Sequence, residues 1–228
     1  DARFMIVGTP SGISLAPEGG AHQSIATPLI GISQPGLLSF EPAFADELAL
    51  IMNYGFNYLQ DESGGSIYLR LTTRSIDQPM REIDNELKNN IIKGAYWLKK
   101  PGPNPEVIIV YQGAVASEAI ESTALLGEKF KNSGVLSITS SDKLFHEWKN
   151  QNSTSHIELL LEGVPRDTRI ITVIDGHPMT LSWIGSIYGH KTIPLGVSSF
   201  GQTGKVEDLF KEFTIDSQSI SNLGFSIN

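Results

Sequence analysis

Two hydrophobic rhythms alternate along these 228 residues, a short apolar run and then a spacing of three and four. Phe4-Met5-Ile6-Val7, bounded by Gly8, and Leu37-Leu38-Ser39-Phe40 have the character of buried strands. Phe44, Leu48, Ile51, Met52, Phe56 and Leu59 fall on one face of a helix. Pro42 suits that helix's first position, where its missing N–H would go unpaired anyway. Asp46 and Glu47 favour the positive end of the same helix. Glu62-Ser63-Gly64-Gly65 breaks the pattern, and Ser66 to Thr72 alternates as a strand rich in Ile, Tyr, Leu and Thr.

Ser75 to Asn90, with Pro79 and mixed charges, reads as a linker. Ile91 to Leu98 is predicted as the strand that follows it, and Lys99 to Pro105 as a rigid exposed turn. Val107 to Tyr111 is a strand of the fully buried type. A helix then carries Val115, Ala119, Ile120, Leu126 and Phe130. Val135 to Ile138 repeats the strand, Ser140 or Ser141 caps a helix holding Leu144, Phe145 and Trp148, and Arg169 to Ile174 is another strand. Such alternation implies an α/β fold with a mainly parallel sheet and right-handed crossovers.

At 40% apolar content the chain can bury one large core or two modest ones, and the linker favours two units. The absence of cysteine excludes disulfides, thiolate metal sites and cysteine catalysis. Lys and Arg number 17 against 25 acids, for a net charge of -8, which argues against nucleic acid because phosphate binding needs a basic face. No apolar run nears the roughly 18 residues of a membrane span, and no leader pattern opens the chain. A soluble, cytoplasmic protein is expected. The five histidines, at 22, 146, 156, 177 and 190, lack the pairing of a helical zinc site, so no metal site is assigned. P-loop, Gly-x-Gly-x-x-Gly and Gly-x-Ser-x-Gly patterns are all missing, which removes the signalled routes to nucleotide binding and serine hydrolysis.

Candidate chemistry concentrates in Pro17-Glu18-Gly19-Gly20-Ala21-His22-Gln23-Ser24. Paired glycines let backbone approach a ligand, and an acid and an imidazole four residues apart can face one pocket. A surface loop with a packed or capping His satisfies the same spacing. Asp175-Gly176-His177-Pro178 is a second candidate, because it follows a strand, where open α/β folds bind ligands. A turn with a partly buried His is the preferred reading there.

Glu18-Gly19-Gly20-Ala21-His22-Gln23 resembles the Asp-Gly-Pro-Thr-His-Gln loop of the pyrimidine-binding domain in transketolases and thiamine-dependent 2-oxoacid dehydrogenases. Tyr68 to Arg74 resembles the end of that domain, and Gly94 to Leu98 with Gly113 to Glu118 the start of a transketolase C-terminal domain. Leu195 to Gly204, Asp208-Leu209 and Ile215-Asp216 are similar to the closing segment of single-chain pyruvate dehydrogenases. The resemblance implies the second half of a pyrimidine-binding domain over 1–80, a linker and first strand over 81–105, and a transketolase C-terminal-like domain over 106–228.

It also implies function. The cofactor of the full-length enzyme is thiamine diphosphate with magnesium, and the acyl group left by decarboxylation of a 2-oxoacid passes to a lipoyl acyltransferase component. His22 matches the catalytic substrate-side His, Glu18 and Gln23 match substrate contacts, Gly19 and Gly20 lie on the cofactor side, and Arg74 lies where transketolases place a phosphate-binding Arg, with a structural salt bridge at a strand end the equal alternative. Glu in place of Asp, and Gly-Ala in place of Pro-Thr, disfavour a sugar phosphate. The metal-diphosphate motif and the pyrimidine-activating Glu of the family have no counterpart in these residues. The chain is therefore expected to be a C-terminal fragment, inactive and without bound cofactor alone, whose partners are a second copy in a homodimer and the missing N-terminal portion of the same polypeptide. A transketolase or deoxyxylulose-phosphate synthase fragment, and a noncatalytic dimerisation or regulatory module, are the alternatives.

Overall fold

Apolar runs and amphipathic spacings separate into two parallel-sheet layers in the computed structural model, which describes residues 2–9, 12–20, 22–127, 129–150, 152–199 and 202–226. Ala21, Phe200 and Gly201, which belong to motifs singled out above, lie outside the described residues, and the side chain of Pro17 is likewise not described.

The first sheet contains β1 (Met5–Gly8), β2 (Leu37–Phe40) and β3 (Ser66–Arg70), all parallel, with β3 in the middle. A 3-10 turn, Gly12–Glu18, follows β1, and α1 (Thr27–Ser33) and α2 (Ala45–Gln60) flank β2. After α3 (Asn85–Lys93) comes a five-stranded sheet of β4 (Ala95–Lys99), β5 (Val107–Gln112), β6 (Gly134–Ile138), β7 (Arg169–Ile174) and β8 (Thr192–Leu195), ordered β4-β6-β5-β7-β8. Only β4 runs antiparallel in it. Between these strands lie α4 (Ala116–Leu126), α5 (Ser141–Asn150), α6 (His156–Leu161) and α7 (Met179–Ser182), and α8 (Val206–Glu212) and α9 (Ser217–Phe225) close the chain's helices.

β5 sits at the centre, buried along its whole length, as its unbroken Val-Ile-Ile-Val run requires. Ile109, Tyr111, Val173 and Leu209 pack on one side of the sheet, and Ile108, Val110, Leu144 and Leu181 on the other. Ile13 and Ala16 of the 3-10 turn, both fully buried, belong to the first of these cores rather than to the small core of Phe40, Ile51, Ile67 and Leu69. Each such isoleucine contributes about 1.5–3 kcal/mol on burial. The segment that leads to His22 is thus rooted in the second unit.

Three local expectations change. Pro42 does not open α2: Glu41 N–H donates to Thr139 O, and the Glu47 carboxylate takes the N–H groups of Ala43 and Phe44, so the helix begins only at Ala45. Ile91 to Lys93 is helical because Asp84 caps α3 and Gly94 ends it, and the strand begins only at Ala95. The opening strand forms but is an edge, with Phe4, Ile6 and Val7 43–49% exposed, and Phe56 of α2 is exposed as well. At α5 the cap is Ser140, whose Oγ accepts from Lys143 N–H.

Two buried polar joints tie the sheets together. In one, Arg70 at the end of β3 pairs with Glu41, which also accepts from Gln112 Nε2 of β5 at 2.9 Å. In the other, Tyr96 of β4 donates to Glu47 of α2 at 2.6 Å, while Arg81 bridges Tyr96 and Asp46. Burial pushes the Glu47 carboxyl above its ordinary value of about 4.5, against the bonds from Tyr96, Phe44 and Ala43. The folded state therefore binds that proton more tightly than the unfolded chain does. Its contribution to stability is lost as pH rises from about 4.5 through the raised value. Melting between pH 4 and 7 should show the native protein losing stability relative to Glu47→Gln as pH rises; a constant gap would mean that Glu47 does not titrate there.

Candidate active site

A turn built from backbone rather than from side chains carries the candidate residues. Gly19 adopts φ +79°, a left-handed conformation natural to glycine, and any side chain on it would meet Thr203 Oγ1. His22 N–H then donates to Gly19 O at 3.1 Å, closing the turn. Glu18 and His22 are exposed, Gly20 is half-buried, and Gly19 and Gln23 are buried. Gln23 Nε2 donates to Gln202 O at 3.1 Å, whereas its Oε1 is buried without a partner among the described residues. A rigid turn with an exposed imidazole and carboxylate can exchange protons with a ligand on its solvent side and orient it.

Arg74 is turned elsewhere. Its guanidinium makes a two-pronged pair with Glu118 of α4, at 2.5 and 2.8 Å, donates to Ala114 O and lies 4.8 Å from the centre of the Phe210 ring. Donation to the Glu118 carboxylate raises the Arg74 pKa above its ordinary value. Contact with a substrate anion requires opening this pair.

Two groups with large structural roles were not read as such from sequence. Arg70, the last residue of β3, falls in the strand's alternation with Ser66 and Tyr68, and it donates to Thr27 Oγ1, Ser24 O, Asp175 O and Glu41. Alternation places it on the face away from Ile67 and Leu69, so no local signal marked its burial. Asp175 is fully buried and accepts the N–H groups of Ile13 and Ser14. Burial pushes its carboxyl up, opposed by the nearby Arg70 charge and by those N–H groups. His177 is half-buried in a turn, its Nδ1 accepting from Met179 N–H at 3.3 Å.

A cleft of about 670 Å³ opens between α3, β4 and the 101–105 turn, lined by Asp84, Asn90, Trp97, Lys100 and Glu162 among others, and none of the candidate residues borders it. Among the described residues no three His, Asp or Glu side chains cluster closely enough to hold a metal ion. No step is assigned to a metal at these residues. No helix of the described residues is long and apolar enough to cross a membrane.

Residues 94–216 match the family model of the transketolase-like TK C-terminal domain, more than half of the chain. The chain belongs to this family. Transketolase-like relatives include the pyruvate dehydrogenase E1 component of Buchnera aphidicola subsp. Baizongia pistaciae, 27% identical over 95% of this chain and 26% of that protein. Transketolase 1 of Candida albicans is 27% identical over 94% of this chain and 28% of its own length. The transketolase from Leishmania mexicana superposes with a TM-score of 0.75 over 97% of this chain and 30% of that one, at 17% identity, a likeness of fold. The α/β architecture with mostly parallel sheets is that of the transketolase C-terminal domain, and the chain spans about a quarter of the curated relatives it matches.

Proposed function

We propose that this chain is the C-terminal part of a thiamine-diphosphate-dependent 2-oxoacid dehydrogenase, a pyruvate-type decarboxylating component acting in the cytoplasm, and that it is inactive alone. The observation that carries the reading is the exposed His22 on a clamped Gly-Gly turn, within a chain aligned over 95% of its length with a pyruvate dehydrogenase E1 component. Thiamine diphosphate with magnesium supplies the electron sink for decarboxylation when the complete enzyme holds it. What this chain contributes is orientation and proton handling. His22 hydrogen-bonds to, or exchanges a proton with, the carbonyl oxygen of the 2-oxoacid. Glu18 and Gln23 border the substrate, and the backbone of Gly19 and Gly20 lies on the cofactor side.

The exposed β1 edge supports the partners. Its apolar side chains and its outer edge, which pairs with no strand among the described residues, invite another strand, which the remainder of the polypeptide supplies, and the assembled enzyme pairs with a second copy and delivers its acyl group to a lipoyl acyltransferase. A transketolase or deoxyxylulose-phosphate synthase relative is the second reading, favoured by the match to the Candida albicans protein. Calorimetry of the isolated chain with thiamine diphosphate and magnesium should show no micromolar binding. Co-expression with the upstream portion should restore decarboxylation of a 2-oxoacid. Turnover of a ketose phosphate instead selects the second reading, and no turnover of either selects a noncatalytic dimerisation module.

A further inference from the structure

Asp175, at the carboxyl end of β7, is fully buried and holds backbone more than 160 residues earlier in the chain. Its Oδ1 accepts from Ile13 N–H at 2.7 Å and its Oδ2 from Ser14 N–H at 2.9 Å. Bonds to a carboxylate are about twice as strong as neutral ones. Gly12, immediately before them, has φ +53°, and a side chain there would run into the same carboxylate. Backbone and carboxylate are fitted to each other.

The other limb of the turn is held from the same place. Arg70 Nη2 donates to Asp175 O at 2.7 Å and to Ser24 O at 3.1 Å, and His177 N–H donates to Ile25 O at 2.9 Å. Glu18 and His22 lie between these two limbs, so the end of one strand in the C-terminal unit sets where both stand.

We infer that Asp175 is a positioning residue that holds the His22 turn against the C-terminal unit. The inference rests on the proposed role of His22 for its chemical consequence. A surface turn needs no buried anion to persist, but a proton-transferring group needs a constant place, because a misplacement of about 1 Å can cost roughly 100-fold in rate. The C-terminal unit, which offers no reacting group of its own in this reading, acquires a part in the reaction by this route.

Hydrogen exchange on the 228-residue chain tests the clasp. Asp175→Asn should speed exchange at Ile13, Ser14 and across residues 12–27 by about 10-fold or more, leaving β5 and β7 protected. Gly12→Ala should loosen the same residues without altering Asp175, and it decides the matter if Asp175→Asn does not fold. Unchanged exchange, or loosening spread evenly through β5 and β7, overturns the inference. In the complete enzyme, Asp175→Asn should lower kcat roughly 10-fold, and adding it to His22→Ala should slow the enzyme no further. Normal turnover of His22→Ala removes the site reading and the positioning role with it. A slow His22→Ala beside a fast Asp175→Asn removes the positioning role alone.

Discussion

Replacing His22 with alanine in the complete enzyme should lower turnover by roughly 100-fold or more, the contribution expected of a positioned general acid or base. Thermal stability should hardly move. The imidazole is exposed and makes no side-chain hydrogen bond among the described residues, and the turn around it is closed by backbone, His22 N–H to Gly19 O. Exposed substitutions of this kind stay within about 0.5 kcal/mol. A melting curve and a steady-state assay on one preparation separate the two effects. Normal turnover with a collapsed fold would assign His22 to structure instead.

Arg70→Ala should have the largest effect on stability, a loss of about 3–5 kcal/mol. The side chain is 2% exposed and serves four acceptors, so its removal leaves Glu41 buried as an unpaired carboxylate and strips a partner from Ser24 O and Asp175 O. For a chain of this size that corresponds to a fall in Tm on the order of 10 °C. Denaturant melts of Arg70→Ala and Glu41→Gln give the comparison, with Glu41→Gln the milder because Gln keeps an acceptor for Arg70, whose guanidinium still donates to Thr27 Oγ1, Ser24 O and Asp175 O. A loss under about 1 kcal/mol for Arg70→Ala would show that water enters the joint and solvates what remains.

Regular elements were legible because a strand or helix buries one face and the burden falls on neighbours in sequence. Leu37–Phe40 and Arg169–Ile174 form as read, and Val107 begins a strand that runs one residue beyond Tyr111, to Gln112. The errors sit where a distant polar group intervenes. Pro42 looks like a helix start until Thr139 and the Glu47 carboxylate take the N–H groups of Glu41, Ala43 and Phe44 and delay the helix to Ala45. Ile91 looks like part of a strand because its apolar neighbours fit either period, and only Asp84 and Gly94 at the two ends make it helix.

The candidate site divides in the same way. Glu18, Gly19, Gly20, His22 and Gln23 were legible together because one short turn carries them all, and the resemblance named the family to which the chain belongs. Arg74 could be placed at a strand end but not given its partner, since Glu118 lies 44 residues on. By itself the sequence determined an α/β fold of mainly parallel sheets, a central buried strand and a turn at Gly19-Gly20 ahead of His22, all products of local spacing and side-chain size. Only the tertiary structure decided that the turn belongs physically to the second unit, that Arg70 and Glu41 join the sheets and that Asp175 holds Ile13 and Ser14. Pairing of buried charges depends on which surfaces meet after the chain has folded, and no local pattern encodes that meeting.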